Sequence, residues 1–229
     1  MVRTGAIKQV QDLRRKIYVA AKSDKLKRFW GMYRHIFKEE VLYTAYRMAK
    51  QNNGAPGIDG VTFKDIERAG MAQFISELQQ ELINGTYRPS RNRKQAIPKA
   101  NGKMRILGIP TIKDRVVQGA LKLILEPIFE ADFADNSYGY RPGKSQHDVV
   151  VRVAKAGIKR LTTVIDIDLS AYFDSIRHHI LLQKVSRRIN DPKIMKLLKM
   201  ILRTGGKKGV PQGRPPKKSL KYQLVSNNI

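Results

Sequence analysis

The sequence contains no cysteine, a single tryptophan, four histidines and only 19 acidic residues against 45 lysines and arginines. Without cysteine, disulfide bonds and thiolate-ligated zinc are excluded, and a disulfide-stapled secreted module with them. No apolar run approaches the roughly 18 residues of a membrane-spanning helix. The opening stretch MVRTGAIKQVQDLRRK lacks the apolar centre of a signal peptide. A cytoplasmic protein with no membrane partner is the expectation. The scarcity of acids leaves a formal net charge of +26 over 229 residues. Such an excess repels itself unless a polyanion neutralises it, which points to nucleic acid ahead of an anionic membrane surface.

Where acids are rare, a cluster of them is informative. The stretch VIDIDLSAYFDSIRHH, residues 164–179, holds Asp166, Asp168 and Asp174. Val164, Ile165, Ile167 and Leu169 around the first two predict a buried strand over 163–169. A buried carboxylate is costly unless it is paired, hydrogen-bonded or bound to a metal. Asp166 and Asp168, two residues apart, share one face of such a strand. Asp174 is expected to cap the following helix or to pair with a cation. His178 and His179 are adjacent, so on a helix they point apart and are not expected to share a metal.

The rest of the chain is mostly helical in pattern. Residues 5–50 place Val10, Leu13, Ile17 and Ala20, then Leu26, Phe29, Tyr33, Ile36 and Phe37, at helical spacing. Two or three amphipathic helices follow from this, with the aromatics, Trp30 included, expected in the core. NNGAPGIDGV (52–61) reads as an ordered turn, because its glycines fit no phosphate-binding fingerprint. A helix ending near Gly85 comes next. RNRKQAIPKANGKMRILGIP (91–110) predicts a basic hairpin about the turn dipeptide Asn101-Gly102. Arg91, Arg93, Lys94, Lys99, Lys103 and Arg105 decorate it, and a strand can present several such cations to one phosphate group. A helix stopping near Pro127 is followed by a turn-rich loop. Ser145 and Asp148 have the spacing of a capping box before a helix. Two further helices flank Asp191. The order is α+β, with no internal repeat and no regular β-α-β alternation.

The motif order NNGAPGIDGVT, then YRPS with IPKANGKMRILGIPTIKDRVVQ, then LEPIFEADFADNSYGYRPGKSQHD, IDLSAYFDSI and GVPQG resembles the bacterial group II intron reverse transcriptases, or maturases. The resemblance runs from about Leu13 to Gly213. It implies an α+β right-hand polymerase: an N-terminal helical extension (1–53), fingers (54–143), a partial palm with helices returning to the fingers (144–213), and a divergent basic tail (214–229). It also implies intron RNA, an RNA template and a DNA primer as partners, with dNTP as substrate and Mg²⁺ as cofactor. Asp168 matches the family's metal-binding aspartate, with the Leu169 backbone carbonyl as a second ligand. Phe173 matches the aromatic residue beneath the sugar of the incoming nucleotide. Lys99 and Arg105 match the pair that grips the triphosphate, and Gln212 the residue beside the sugar. Arg91, Arg93, Arg115 and Arg141 are weaker candidates for RNA or template contact.

The sequence also departs from the family. It carries no Tyr-x-Asp-Asp hairpin after the Asp168 motif; FADN (133–136) precedes that motif, the reverse of the family order. After Gly213 the family's apolar palm helix is replaced by RPPKKSLKYQLVSNNI. The expectation is therefore a truncated or frameshifted reverse transcriptase that binds intron RNA, holds Mg²⁺ weakly or not at all, and does not polymerise. An RNA-binding splicing cofactor and a non-functional remnant of a mobile element are the alternatives.

Overall fold

The computed structural model describes residues 3–98, 102, 104–139, 141–169 and 171–210. Among them the order is α1 (Arg3–Ser23), α2 (Tyr33–Ile36), α3 (Glu39–Gln51), α4 (Phe63–Ala69), α5 (Met71–Asn84), β1 (Arg93–Pro98) and β2 (Met104–Ile109). Then come α6 (Ile112–Glu130), α7 (Gln146–Ile158), α8 (Tyr172–Ser175), α9 (His178–Ser186) and α10 (Pro192–Arg203). The α+β expectation holds: a helical body carries one antiparallel hairpin, paired from Arg93↔Ile109 to Pro98↔Met104.

Helix α6 is the hub. Thr111 caps its start by accepting from the Asp114 amide at 3.1 Å. Its Val116, Val117, Ala120, Leu121, Ile124, Leu125 and Ile128 are buried, so the helix is apolar on nearly every side. Helices α1 and α3 pack along it. Val10, Ile17 and Ala21 of α1, Val41, Leu42 and Tyr46 of α3, and Ile194, Leu197 and Ile201 of α10 belong to the same core. Burying each such aliphatic side chain is worth roughly 1.5–3 kcal/mol.

The expected stop at Pro127 is overturned, since α6 continues to Glu130. Proline has no N–H for the carbonyl four residues back, which here is Leu123. Arg14 of α1 supplies the missing donor: its Nη1 donates to the Leu123 carbonyl at 2.9 Å, and its Nη2 to Glu126 Oε2 at 2.7 Å. A cation from another helix thus repairs the defect.

Two other expectations are corrected. Leu26 and Trp30 lie outside the core, 89% and 77% exposed. Asp24 accepts from the amides of Leu26 (2.8 Å) and Lys27 (3.1 Å), which diverts the chain out of α1 and breaks the helical period. The buried strand over 163–169 does not form either. Those residues form no helix or strand, and Val164, Ile165 and Ile167 are 86%, 81% and 79% exposed. Strand backbone needs a neighbour for its N–H and C=O groups, and among the described residues the only ladder is β1–β2. Helix α7 before it is likewise unpacked, with no buried residue.

Candidate nucleic-acid interface

The loop 52–61 is fastened to the start of α6. Arg115 donates from Nε to the Pro110 carbonyl (3.0 Å), from Nη1 to that of Gly54 (3.1 Å) and from Nη2 to that of Ala55. Arg93, on β1, donates from Nε to the Pro56 carbonyl at 3.1 Å. Gly57 sits so close to α6 that a Cβ there would lie 2.5 Å from the Thr111 Cα. Burial pulls the Arg115 pKa below its ordinary value, Asp59 acts against this, and Arg93 adds to it. Two cations expected at the template therefore set the shape of this loop. Arg91 is exposed beside them.

Asp114 fixes the entry to the hairpin. It accepts from the Tyr87 hydroxyl at 2.6 Å and from the Ser90 amide at 3.1 Å, and is itself only 2% exposed. Burial raises the pKa of both Tyr87 and Asp114; for Asp114 the hydrogen bonds with the Tyr87 and Thr111 hydroxyls and the Ser90 amide act in the opposite direction. Arg105 lies in β2 opposite Ile97. Lys99 and Gln212 lie outside the described residues.

Arg141 is buried. It donates from Nε to Glu130 Oε1 (2.9 Å) and from Nη1 to the carbonyls of Ala134 (2.6 Å) and Ser137 (2.8 Å). Its guanidinium carbon is 4.9 Å from the Phe133 ring centroid. These contacts close the loop after α6 and use the side chain internally.

The segment 168–178 meets the residues before Gln212. Asp166 and Asp168 are exposed on the unpaired stretch, and Leu169 is 48% exposed. Ala171 turns the chain into α8 through the left-handed region (φ 49°, ψ 31°), which L-residues seldom occupy. The half-buried Phe173 ring packs edge-on against Tyr172 at 5.6 Å. The Val210 amide donates to the Phe173 carbonyl and the Gly209 amide to that of Ile176, each at 2.8 Å. His178 Nε2–H donates to the Gly209 carbonyl at 2.7 Å. A Cβ on Gly209 would lie 2.8 Å from the Asp174 carbonyl oxygen. The structure therefore brings Phe173 together with Gly209 and Val210. Asp174 does not cap the next helix: it lies inside α8, four residues before the start of α9, whose N-cap, Arg177, makes no side-chain bond.

Mg²⁺ prefers octahedral oxygen coordination and, in two-metal sites, needs carboxylates that converge. Among the described residues no three His, Cys, Asp or Glu side chains do so. Asp168, exposed and alone, does not fit a metal pair.

Sequence reasoning missed Arg188. Only 6% exposed, it donates to the carbonyls of Ala21 (3.0 Å), Asp24 (3.1 Å), Lys25 and Lys27 (3.0 Å), with Asp132 Oδ2 3.1 Å from its Nε. It ties the loop after α1 to the end of the helix, since Ala21 lies in the last turn of α1 and the other three carbonyls lie just beyond it. In VSRRIND nothing distinguishes it from its exposed neighbour Arg187.

The scaffold is a helical body with a basic antiparallel hairpin. A solved structure described as a partial Cas6-RT-Cas1–Cas2 complex superposes with a TM-score of 0.51 over 83% of this chain and 33% of that one, at 20% identity. The sequence pattern of the family described as reverse transcriptase (RNA-dependent DNA polymerase) matches residues 97–221. The chain belongs to that family. Protein YkfC of Escherichia coli (strain K12) is 38% identical over 89% of this chain. The group II intron-encoded protein LtrA of Lactococcus lactis subsp. cremoris is 33% identical over 77%. The chain spans 57% of the length of the first relative and 29% of the second. No helix among the described residues is long and apolar enough to cross a membrane.

Proposed function

We propose that this chain is an RNA-binding unit of the group II intron reverse transcriptase and maturase type, which holds structured intron RNA in the cytoplasm and does not polymerise on its own. Residues 54–143 serve as fingers and 144–213 as the first part of the palm. The observation that carries the reading is the +26 charge on a fingers-like scaffold. Lysines and arginines that neutralise phosphates release counterions, so affinity falls steeply with salt. Lys99, Arg105, Phe173 and Gln212 keep the places that face a nucleotide in the family. Asp168 contributes one carboxylate, and Arg93, Arg115 and Arg141 act by shaping the loops beside the RNA.

A filter-binding series from low to physiological salt tests this, with structured intron RNA compared against duplex DNA. A steep linear fall of log affinity with log salt, and preference for the RNA, is expected. A flat plot sinks the electrostatic account. Primer extension on an RNA template with Mg²⁺ should give no product. Extension that vanishes in Asp168→Ala would show the chain to be a polymerase by itself.

A further inference from the structure

Between α2, the end of α5 and α10 lies a cavity of about 180 Å³, lined by Tyr33, Leu82, Ile83, Tyr87, Leu197 and Met200 with Lys193 and Lys196 at its edge. The Tyr33 ring is held firmly: its hydroxyl donates to the Leu82 carbonyl at 2.7 Å, and its amide to Asp191 Oδ2 at 2.9 Å. Lys193 Nζ stands 5.6 Å from the centre of that ring. No carboxylate lines the cavity. Asp191 is occupied by the first amides of α10 and Glu81 by Lys113. Lys193, Lys196, Lys199 and Arg203 recur every three or four residues, so they form one exposed stripe of α10. None has a carboxylate partner among the described residues.

We infer that this surface binds single-stranded RNA, with one unpaired base entering the cavity against Tyr33 and the adjoining phosphates lying along the lysine stripe. A fixed aromatic ring with one lysine over it, continued by cations that have no carboxylate partner among the described residues, is an arrangement that holds single strands: the ring stacks a base of any identity once the flexible lysine swings to a phosphate, and the cations follow the backbone. Duplex RNA keeps its bases stacked inside and cannot fill the cavity. The site is built from α2, α5 and α10 and includes Tyr87, whose hydroxyl bonds Asp114 at the entry to the hairpin. It deepens the RNA-binding reading and rests on it.

The test uses the whole chain and a single-stranded RNA carrying 5-iodouridine, which photo-crosslinks to aromatic side chains in contact with it. A cross-link at Tyr33 is expected. Lys193→Ala/Lys196→Ala should lower the salt slope for this RNA by about 1.4, the share of two single-strand phosphates. It should weaken single-strand binding more than duplex binding. Lys8→Ala/Lys16→Ala, which removes two exposed lysines of α1, is the control of equal charge and should weaken single- and double-stranded RNA alike. Tyr33→Leu should lower single-strand affinity roughly five- to hundred-fold, the range of one base on an aromatic ring. A melting curve verifies that this variant folds, and the two lysine pairs, being exposed, give the answer if it does not. RNA retention with no Tyr33 cross-link, and equal behaviour of the two lysine pairs, overturns the site while leaving the RNA-binding reading intact. Failure of the unaltered chain to retain any RNA overturns both.

Discussion

Helix α6 and the segment 145–169 are both rich in valine, leucine and isoleucine, yet the first is buried on all sides and the second is not buried at all. The difference is one of neighbours. Around α6 stand α1 and α3, each with an apolar stripe at matching spacing. Among the described residues, 163–169 pairs with no strand, and α7 buries no side chain against another element. Hydrophobic pattern shows what a segment can bury; whether it does so depends on what lies next to it.

The sharpest way to break this comparison is to truncate both regions. Ile124→Ala removes a wholly buried side chain from the hub and should cost about 4 kcal/mol, within the usual span for such cavities. Ile165→Ala, on the exposed stretch, should stay within about 0.5 kcal/mol. Urea denaturation of both variants decides it, and equal losses would mean that the stretch is packed in solution.

Next in size is Arg188→Ala, which strands the carbonyl of Ala21 in the last turn of α1 and those of Asp24, Lys25 and Lys27 in the loop after it and should cost about 3 kcal/mol. Arg187→Ala, one residue earlier and exposed, should be close to neutral. Thermal melts of this pair separate a buried cation from a surface one. Tyr87→Phe should cost about 2 kcal/mol, because it leaves the Asp114 carboxylate buried without its hydroxyl donor. Asp114→Asn with Tyr87→Phe should then cost less than the sum of the two single changes, and a double-mutant cycle measures the coupling.

The smallest effect concerns pH. Ser145 and Asp148 form the capping box at the start of α7, with the Ser145 amide donating to Asp148 Oδ2 at 2.7 Å and the Asp148 amide to Ser145 Oγ at 3.3 Å. The Ser145 hydroxyl and amide hold the exposed Asp148 carboxyl below its ordinary pKa. Its contribution is therefore complete above the unfolded carboxylate range and is lost as pH falls below about 4. Hydrogen exchange should show α7 amides losing protection on acidification while α6 amides keep theirs. Protection in α7 that does not change down to pH 2 would rule the box out as its support.

Much of this was legible beforehand. The hairpin, the turn at 52–61, the helix ending near Gly85 and the Ser145 box each have short-range causes, in dipeptides, spacing and capping chemistry. The misreadings have long-range causes. Pro127 looks like a stop because nothing local reveals Arg14, more than a hundred residues away. Asp166 and Asp168 look buried because alternation and apolarity describe a strand only once it has a partner. Trp30 looks like core because Asp24, which redirects the chain, resembles any surface acid. Of the interface, the cations of β1 are legible in the sequence, whereas the contact of Phe173 with Val210 and the Tyr33 cavity need segments far apart in the chain to lie side by side. The capping box at Thr62 and Asp65, closed in both directions, has a spacing that a search for such boxes would have found.

The contact of Phe29 with residues 188–190 also bears on the timing of synthesis. Phe29 donates to the Arg188 carbonyl and accepts from the Asn190 amide, each at 2.7 Å. As the chain leaves the ribosome, α1 can form early, but its C-terminal turn has no partner until about 160 further residues have been made. During that interval its carbonyls rely on water, and the basic face of α1 is open to whatever anion is at hand. A nascent chain bearing this charge is thus exposed to RNA before its first helix has been locked in place.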